Sequence, residues 1–176
     1  MTDSEHIEKT LVILKSDAVE RGLVGELITR FERVGLKIVA LKLVRASIEL
    51  ADRHYGDLVE RYSEKLGVER AVAIKKGMVE FLTSGPVVPL VLEGVNACAV
   101  VRKMVGSTYP DQATPGTIRG DYAHISQAYA NGIGIAVKNL VHASGNPEEA
   151  KIEIALWFKT EELADYEPVH FKHTRH

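Results

Sequence analysis

The feature that most constrains this 176-residue chain is a continuous apolar run at residues 10–14, TLVIL. A strand with one solvated face alternates apolar and polar residues, whereas an unbroken run is typical of a central strand buried on both faces. The run therefore predicts a core strand. It stops at Lys15, and this lysine is either a solvated strand end or a ligand for an anion.

Periodicity in the rest of the sequence predicts a mixture of helices and strands. Gly35 suits a helix end, Asn96 suits a helix start, and Pro89 indicates an edge strand or a strand start. Asp17 with Glu20 resembles a capping pair. The later elements are predicted, in chain order, as a helix at 23–34, a strand at 37–45, helices from 47 towards 62 and at 69–82, a strand at 87–92, a helix at 96–105, a strand at 133–141 and a helix at 147–158.

The order of these elements predicts the fold. Strands and helices are mixed along the chain, which is typical of an α/β protein and here of an α+β sandwich. Their order matches a ferredoxin-like βαββαβ arrangement with a four-stranded antiparallel sheet and added helices. Neither a repeat nor a linker interrupts the sequence, so residues 1–176 are expected to form one domain.

Charge and cysteine content exclude several classes of function. A net charge of −2 does not favour a nucleic-acid or membrane partner, and no apolar run approaches the length of a membrane span. The single Cys98 excludes an intramolecular disulfide and indicates a reducing compartment. The polar, acidic first residues do not resemble a secretory signal. A cytoplasmic location is expected.

The segment 139–149, NLVHASGNPEE, reads as a strand end, a tight turn and a helix start. Asn146 is a good N-cap, Pro147 suits the first helical position, and the glutamates that follow favour the helix dipole. His142 therefore lies on a rigid element. It is either a half-buried strand-end residue or a nucleophile, because imidazole attacks at neutral pH without losing a proton first.

Groups that suit phosphate oxygens stand at the ends of several predicted elements. They are Lys15, Arg102, Thr108, Arg119 and Asn139, and are called the phosphate-type residues below. Composition alone does not show that they converge.

The long segment at 107–131 is rich in Pro, Gly and Thr. Loops of this length are usually functional or disordered, and the two prolines of this one favour order. Neither a Walker A loop nor a zinc-type spacing occurs in the sequence, and the tail histidines at 170, 173 and 176 are expected to be solvated.

Several short blocks together resemble one family. The block PGTIRGD at 115–121 combined with NLVHAS at 139–144 is highly specific, and LKSD at 14–17, HY at 54–55, SGPV at 84–87 and EIALWF at 153–158 agree with it. Over roughly residues 8–166 the chain resembles the nucleoside diphosphate kinases.

This resemblance implies a ping-pong transfer of the γ-phosphate from ATP or another nucleoside triphosphate to a nucleoside diphosphate, through a phosphohistidine at His142. It implies that Glu153 orients the histidine, while Tyr55 and Ser144 either border it or are a core tyrosine and a turn serine. It implies Mg²⁺ held by the nucleotide phosphates and water rather than by protein ligands. The five phosphate-type residues match the family's phosphate and sugar ligands.

The chain also departs from the common family pattern. Two insertions, at about 62–73 and 122–134, resemble those of a subgroup. The family's base-stacking phenylalanine falls on Ile74 and the next position of the base clamp on Met78, so either an aliphatic side chain covers the base or Tyr62 or another residue replaces the aromatic ring. None of these changes removes a catalytic group.

Two other classes of function remain as alternatives. The first is a non-catalytic nucleotide-binding or scaffold protein of the same fold, which should have lost one of the site residues. The second is a nucleic-acid-binding regulator, which the net charge disfavours. The resemblance further implies a homo-oligomer, a hexamer or a tetramer built from dimers, and leaves the preferred base open.

Overall fold

Four strands form one antiparallel sheet in the computed structural model, which describes residues 6–174. The order across the sheet is β2-β3-β1-β4, so the fourth strand lies beside the first. This arrangement, with helices packed on the sheet, confirms the predicted ferredoxin-like fold. The strands are Ile7–Leu14 (β1), Lys37–Leu41 (β2), Val88–Val95 (β3) and Val141–Ala143 (β4).

Helices connect and cover the strands, and α4 and α5 form a hairpin that turns at Gly67, whose φ of +82° favours glycine. The first insertion lies in this hairpin and the second contains α8. Within residues 6–174, no helix is long and apolar enough to cross a membrane. The helices are Ser16–Glu20 (α1), Val24–Arg33 (α2), Ile48–His54 (α3), Leu58–Leu66 (α4), Val68–Thr83 (α5), Ala97–Val105 (α6), Ile118–Tyr122 (α7), Gln127–Gly132 (α8), Pro147–Trp157 (α9) and Phe171–Thr174 (α10).

The apolar run at the end of β1 is buried on both faces, as predicted. Leu11 and Ile13 belong to a core cluster that also contains Trp157, whereas Val12 and Leu14 belong to a second cluster on the other side of the sheet. The two clusters lie on opposite faces because successive side chains of a strand point to opposite faces, while β3 and β4 pair with the two edges of β1. The end of β1 is therefore fixed from every side.

The predicted strand at 133–141 is wrong in its bounds. The strand β4 has only three residues, which pair with Val12, Ile13 and Leu14, and His142 lies inside it rather than after it. Ile133 and Ile135 are exposed and stand outside the sheet, since β4 meets β1 only at that short stretch.

Of the two alternatives predicted for Pro89, the strand start is confirmed. Pro89 is the second residue of β3, a central strand, close to where β2 ends, and Lys42 N donates to its carbonyl. Two other local predictions differ from the structure. Asp17 does not cap α1, because it is the second residue of that helix; its carboxylate accepts Ala18 N and Leu140 N. Asn96 precedes α6 without a side-chain cap, whereas Asn146 caps α9 by accepting from Glu149 N.

The tail is partly docked. His170 is half-buried and its Nε2 lies 3.3 Å from Gly35 O, so the prediction of a solvated tail is wrong for this residue. His173 is exposed, as predicted. His176 and the polar first residues of the chain lie outside the described residues.

Candidate active site

A cleft of about 370 Å³ opens where β1 ends beside the antiparallel β4, bordered by the α4–α5 hairpin, the loop after α6 and the start of α9. The structure brings most of the predicted site residues into it, although they come from distant parts of the sequence. Those that line the cleft are Lys15, Tyr55, Arg102, Thr108, Arg119, Asn139, His142 and Glu153. The phosphate-type residues therefore do converge in the structure, a point that composition alone could not show.

A strained turn leads into β4. Val141 N donates to Asn139 O at 2.7 Å, and Leu140 between them has a φ of +67°, which together make a γ-turn of the rare positive-φ type. Two neighbours hold it: Leu140 N donates to Asp17 Oδ2 at 3.1 Å, and Lys15 N donates to Leu140 O at 2.8 Å. The turn aims Asn139 at the cleft and sets the register of His142.

Asp17 is thus a supporting residue that the capping interpretation missed. Replacing Asp17 with alanine is expected to lower the free energy of unfolding by about 1–3 kcal/mol, because Leu140 N loses its acceptor in a buried, strained turn. Thermal or urea unfolding would measure this. The exposed Asp111 supplies the matched control, and Asp111→Ala should change stability by less than about 0.5 kcal/mol. Equal effects of the two substitutions would contradict this role.

His142 and Glu153 form the central contact of the cleft. The His142 Nε2 lies 2.8 Å from Glu153 Oε1, and the hydroxyl of Ser144 donates to Glu153 Oε2 at 2.5 Å. Burial acts to raise the pKa of Glu153, but the hydrogen bonds and charges of the two histidines beside it and the Ser144 hydroxyl outweigh burial and hold the pKa below its usual value. An ionised Glu153 keeps the ring proton on Nε2, which leaves the Nδ1 lone pair free.

Ser144 is fully buried and does not line the cleft. It acts through Glu153, since its hydroxyl also accepts Leu11 N at 3.2 Å and so ties the carboxylate to β1. Tyr55 does line the cleft while being largely buried, and burial followed by the nearby charge of Glu153 raises the pKa of its hydroxyl.

Lys15 is buried, so its interpretation as a solvated strand end is wrong. Its Nζ donates to Asn139 Oδ1 at 2.8 Å and lies 5.2 Å from the centre of the Phe81 ring. Burial and then the charge of Arg119 lower the pKa of Lys15 to about 7. Asn139 in turn donates through Nδ2 to Thr108 O at 2.9 Å, which links the loop after α6 to the turn before β4.

Arg119 stabilises the local backbone in addition to its predicted role as a phosphate ligand. Its guanidinium donates to four backbone carbonyls, those of Asn139, Gly106, Ser107 and Val141, at 3.1, 3.0, 3.0 and 2.5 Å. Since arginine has five N–H groups, one remains for a ligand. Burial, followed by the charge of Arg102, lowers its pKa to about 10. The exposed Arg102 has its side chain available to the cleft.

Several side chains that line the cleft were not predicted from the sequence, among them His54 and Arg61. His54, at the end of α3, has its ring centre 4.4 Å from that of His142 at an angle of 80°, and its Nδ1 accepts the indole N–H of Trp157 at 3.2 Å. Arg61, on α4, forms an ion pair with Asp57 at 2.6 Å. His54 stands next to Tyr55 in a matched block, which was the only available signal, and Arg61 lies beside the first insertion.

Comparison with known proteins decides the family. The family model described as nucleoside diphosphate kinase matches residues 8–163. A nucleoside diphosphate kinase of Pyrobaculum aerophilum is 48% identical over 90% of this chain and 99% of its own length. The chain belongs to the nucleoside diphosphate kinase family.

Solved structures of the family agree with this assignment. A transition-state mimic of the Borrelia burgdorferi kinase, with bound vanadate and ADP, superposes with a TM-score of 0.88 at 42% identity and covers 96% of this chain and 98% of that one. A Halobacterium salinarum kinase in complex with CDP has a TM-score of 0.77 at 38% identity, covering 95% and 97%. The chain is accordingly a phosphotransferase that moves phosphoryl groups between nucleotides.

Of the residues predicted to border the base in this kinase, Met78 and Tyr62 line the cleft and Ile74 does not. Ile74 packs against the core cluster and does not line the cleft. Met78, one turn further on, does line the cleft together with Leu58 and Tyr62 of α4. The apolar wall therefore comes from both helices of the hairpin.

The cleft of this kinase does not offer a carboxylate cage for Mg²⁺. Ligand atoms of His54, His142 and Glu153 lie within 4.8 Å of one another, but two nitrogens and one oxygen do not match the preference of Mg²⁺ for oxygen. Both oxygens of Glu153 already accept hydrogen bonds. The cations and amides around this cluster suit anionic phosphates, and phosphates that carry their own Mg²⁺ fit such a site.

Proposed function

We propose that this kinase transfers the γ-phosphate of a nucleoside triphosphate to a nucleoside diphosphate in two half-reactions through a phosphorylated His142. The observation that carries the proposal is the contact of His142 Nε2 with Glu153, which leaves Nδ1 as the attacking nitrogen. In the first half-reaction the Nδ1 lone pair forms an N–P bond while the bond from the γ-phosphorus to the β-phosphate oxygen breaks, and the diphosphate leaves with those electrons. The second half-reaction is the reverse with another diphosphate.

Attack by Nδ1 places a positive charge on the ring, because Nε2 keeps its proton. Glu153 stabilises that charge from 2.8 Å, and Ser144 holds the carboxylate in place. Phosphoryl transfer otherwise requires positioning and charge stabilisation. Lys15, Arg102 and the remaining N–H of Arg119 supply positive charge for the phosphate oxygens.

Thr108 and Asn139 supply neutral hydrogen bonds for phosphate or sugar oxygens. The apolar wall formed by Leu58, Tyr62 and Met78 is proposed to cover the base, so that shape rather than base-specific hydrogen bonds governs its binding. Mg²⁺ is proposed to enter on the nucleotide phosphates, held by them and by water.

Initial-rate kinetics test this proposal. With one triphosphate as donor and a different diphosphate as acceptor, double-reciprocal plots should give parallel lines, since the first product leaves before the acceptor binds. Donor and its own diphosphate should also exchange label without any acceptor. Intersecting lines and no exchange would indicate direct transfer and overturn the phosphohistidine route.

Nucleotide binding is expected to take up a proton through Lys15. The pKa of this buried amine is about 7 in the free protein, and bound phosphate charges should raise it. At pH 8 a diphosphate should therefore bind with uptake of about one proton, and its affinity should fall by up to about tenfold per pH unit above pH 7.

Calorimetry in buffers of different ionisation enthalpy would measure that uptake. The Lys15→Met variant is the reference, because ionisation of the nucleotide itself contributes equally to both proteins. Equal uptake by wild type and Lys15→Met would contradict the proposed contact of Lys15 with phosphate.

No observation favours a non-catalytic role, since the groups that such a protein would lose are present and converge. A homo-oligomeric state and a cytoplasmic location stay predictions of the sequence. They have no bearing on the chemistry proposed for the cleft.

A further inference from the structure

The helix α9 presents two hydrogen-bonding side chains on one face, one turn apart. Glu153 contacts the His142 ring at 2.8 Å, and Trp157 donates its indole N–H to Nδ1 of His54 at 3.2 Å. Residues four apart on a helix face the same way. The helix thus supplies one partner to each of the two imidazoles that meet edge to face.

The two imidazoles stand near the same carboxylate. The Nδ1 of His54 lies 3.8 Å from Glu153 Oε1, the oxygen that contacts His142. A small rotation would let a protonated Nδ1 donate to that oxygen. His54 is therefore a potential competitor of His142 for Glu153.

Trp157 determines which nitrogen of His54 carries the proton. Indole N–H is a donor only, so Nδ1 of His54 must be the acceptor and the ring proton must be on Nε2. Within residues 6–174, that buried Nε2 has no hydrogen-bond partner. Leaving this buried N–H donor unpaired costs free energy. The hydrogen bond from Trp157 keeps the proton on Nε2 despite that cost.

We propose that Trp157 is a positioning residue: by donating to Nδ1 of His54 it prevents that histidine from binding Glu153, and so reserves Glu153 for His142. This inference rests on the proposed function, in which His142 is the group that Glu153 must orient. Trp157 itself does not line the cleft and is buried beneath His54.

The surroundings of His54 support this proposal. Its ring is faced by His142 and Tyr55 at ring-centre distances of 4.4 and 4.8 Å, by Trp157, and by the charges of Glu153 and Lys15. Burial, then His142 and Lys15, lower the pKa of His54, whereas Glu153 raises it, and the result is about 3. His54 is neutral in the working range of pH, as a hydrogen-bond acceptor for Trp157 must be.

Trp157→Phe removes the donor while keeping an aromatic ring. Without that donor nothing holds the ring proton of His54 on Nε2, so the proton should move to Nδ1, which can then donate to Glu153. We expect kcat to fall about tenfold, the lower range for losing an outer partner of a functional histidine, and to fall equally at pH 6 and pH 8.5, because the change of tautomer takes up no proton. An unchanged kcat would contradict the proposal.

A double-mutant cycle separates competition from a packing defect. Leucine at position 54 has no N–H group that could donate to Glu153. Adding Trp157→Phe to His54→Leu should therefore cost less than about twofold in kcat, whereas it costs about tenfold when His54 is present. The same loss in both backgrounds would overturn the proposal. His170→Leu, which alters a histidine outside the cleft, is the control.

Nitrogen-15 NMR of the histidine rings detects the proposed competition for Glu153 and does not depend on enzymatic activity. Wild-type His54 should carry its proton on Nε2, whereas in Trp157→Phe the proton should move to Nδ1. An unchanged His54 spectrum would contradict the inference even if the kinase works through His142. Conversely, failure of His142 to accept phosphate would leave the NMR result intact, so the two claims fail separately.

Discussion

Replacing His142 with alanine is expected to reduce nucleotide phosphotransfer by about 10⁵-fold or more, because the proposed route has no other nucleophile. The side chain is only half-buried at the end of the sheet, so the fold should survive the change. Steady-state rates with a triphosphate donor and a diphosphate acceptor measure the loss. Unchanged diphosphate binding in calorimetry would show that the cleft remains formed.

The exposed His124 supplies a matched control from the loop between α7 and α8. His124→Ala should retain wild-type rates, since this residue does not line the cleft. Normal turnover by the His142 variant would contradict the mechanism outright. Equal losses in both variants would point to a general defect of folding.

Replacing Glu153 with glutamine is expected to slow phosphorylation of His142 by about 10²–10⁴-fold, the range that follows when a histidine loses its orienting carboxylate. The amide can turn its NH₂ group towards Nε2 and donate to it. The ring proton then moves to Nδ1, the nitrogen that must attack. The variant also cannot neutralise the charge that attack places on the ring.

Rapid-quench measurement of the first half-reaction would isolate this effect from nucleotide release. The control is Glu148→Gln on the exposed surface of the same helix, which should leave the rate unchanged. A Glu153→Gln variant with the wild-type phosphorylation rate would indicate that the carboxylate only supports the packing of α9 against β1.

The sequence predicted those parts of the fold that depend on local pattern. The unbroken run at 10–14 indicated a strand buried on both faces, and β1 is the strand between two others. Asn146 and Pro147 indicated the start of α9, and the structure has both in those roles. Such features depend on residues within one or two turns, so a pattern can show them.

Features set by long-range contacts were predicted poorly. The strand β4 is short because it meets β1 at only three residues, and nothing in the apolar residues at 133–141 reveals that limit. Ile74 and Met78 were both assigned by counting back from Ser84. They lie one turn apart on the same face of α5, and of the two Met78 is the one that reaches the cleft.

The sequence predicted which residues belong to the site, but not how they are arranged in space. Family resemblance identified Arg119 as a phosphate ligand, whereas the structure shows most of its donors bound to carbonyls of two separate segments. The same holds for His54 and Trp157, which meet only because α3 and α9 pack together. A hydrogen bond between distant helices leaves no periodic signal in the sequence.

Incubation with γ-labelled ATP and Mg²⁺ in the absence of any acceptor would show whether the phosphoryl group passes through His142. We expect about one label per active chain, stable in alkali and labile in acid, attached to Nδ1 of His142 and released as labelled triphosphate when a diphosphate is added. No label on a protein that still binds nucleotide, or a label on another residue that is transferred equally well, would contradict it.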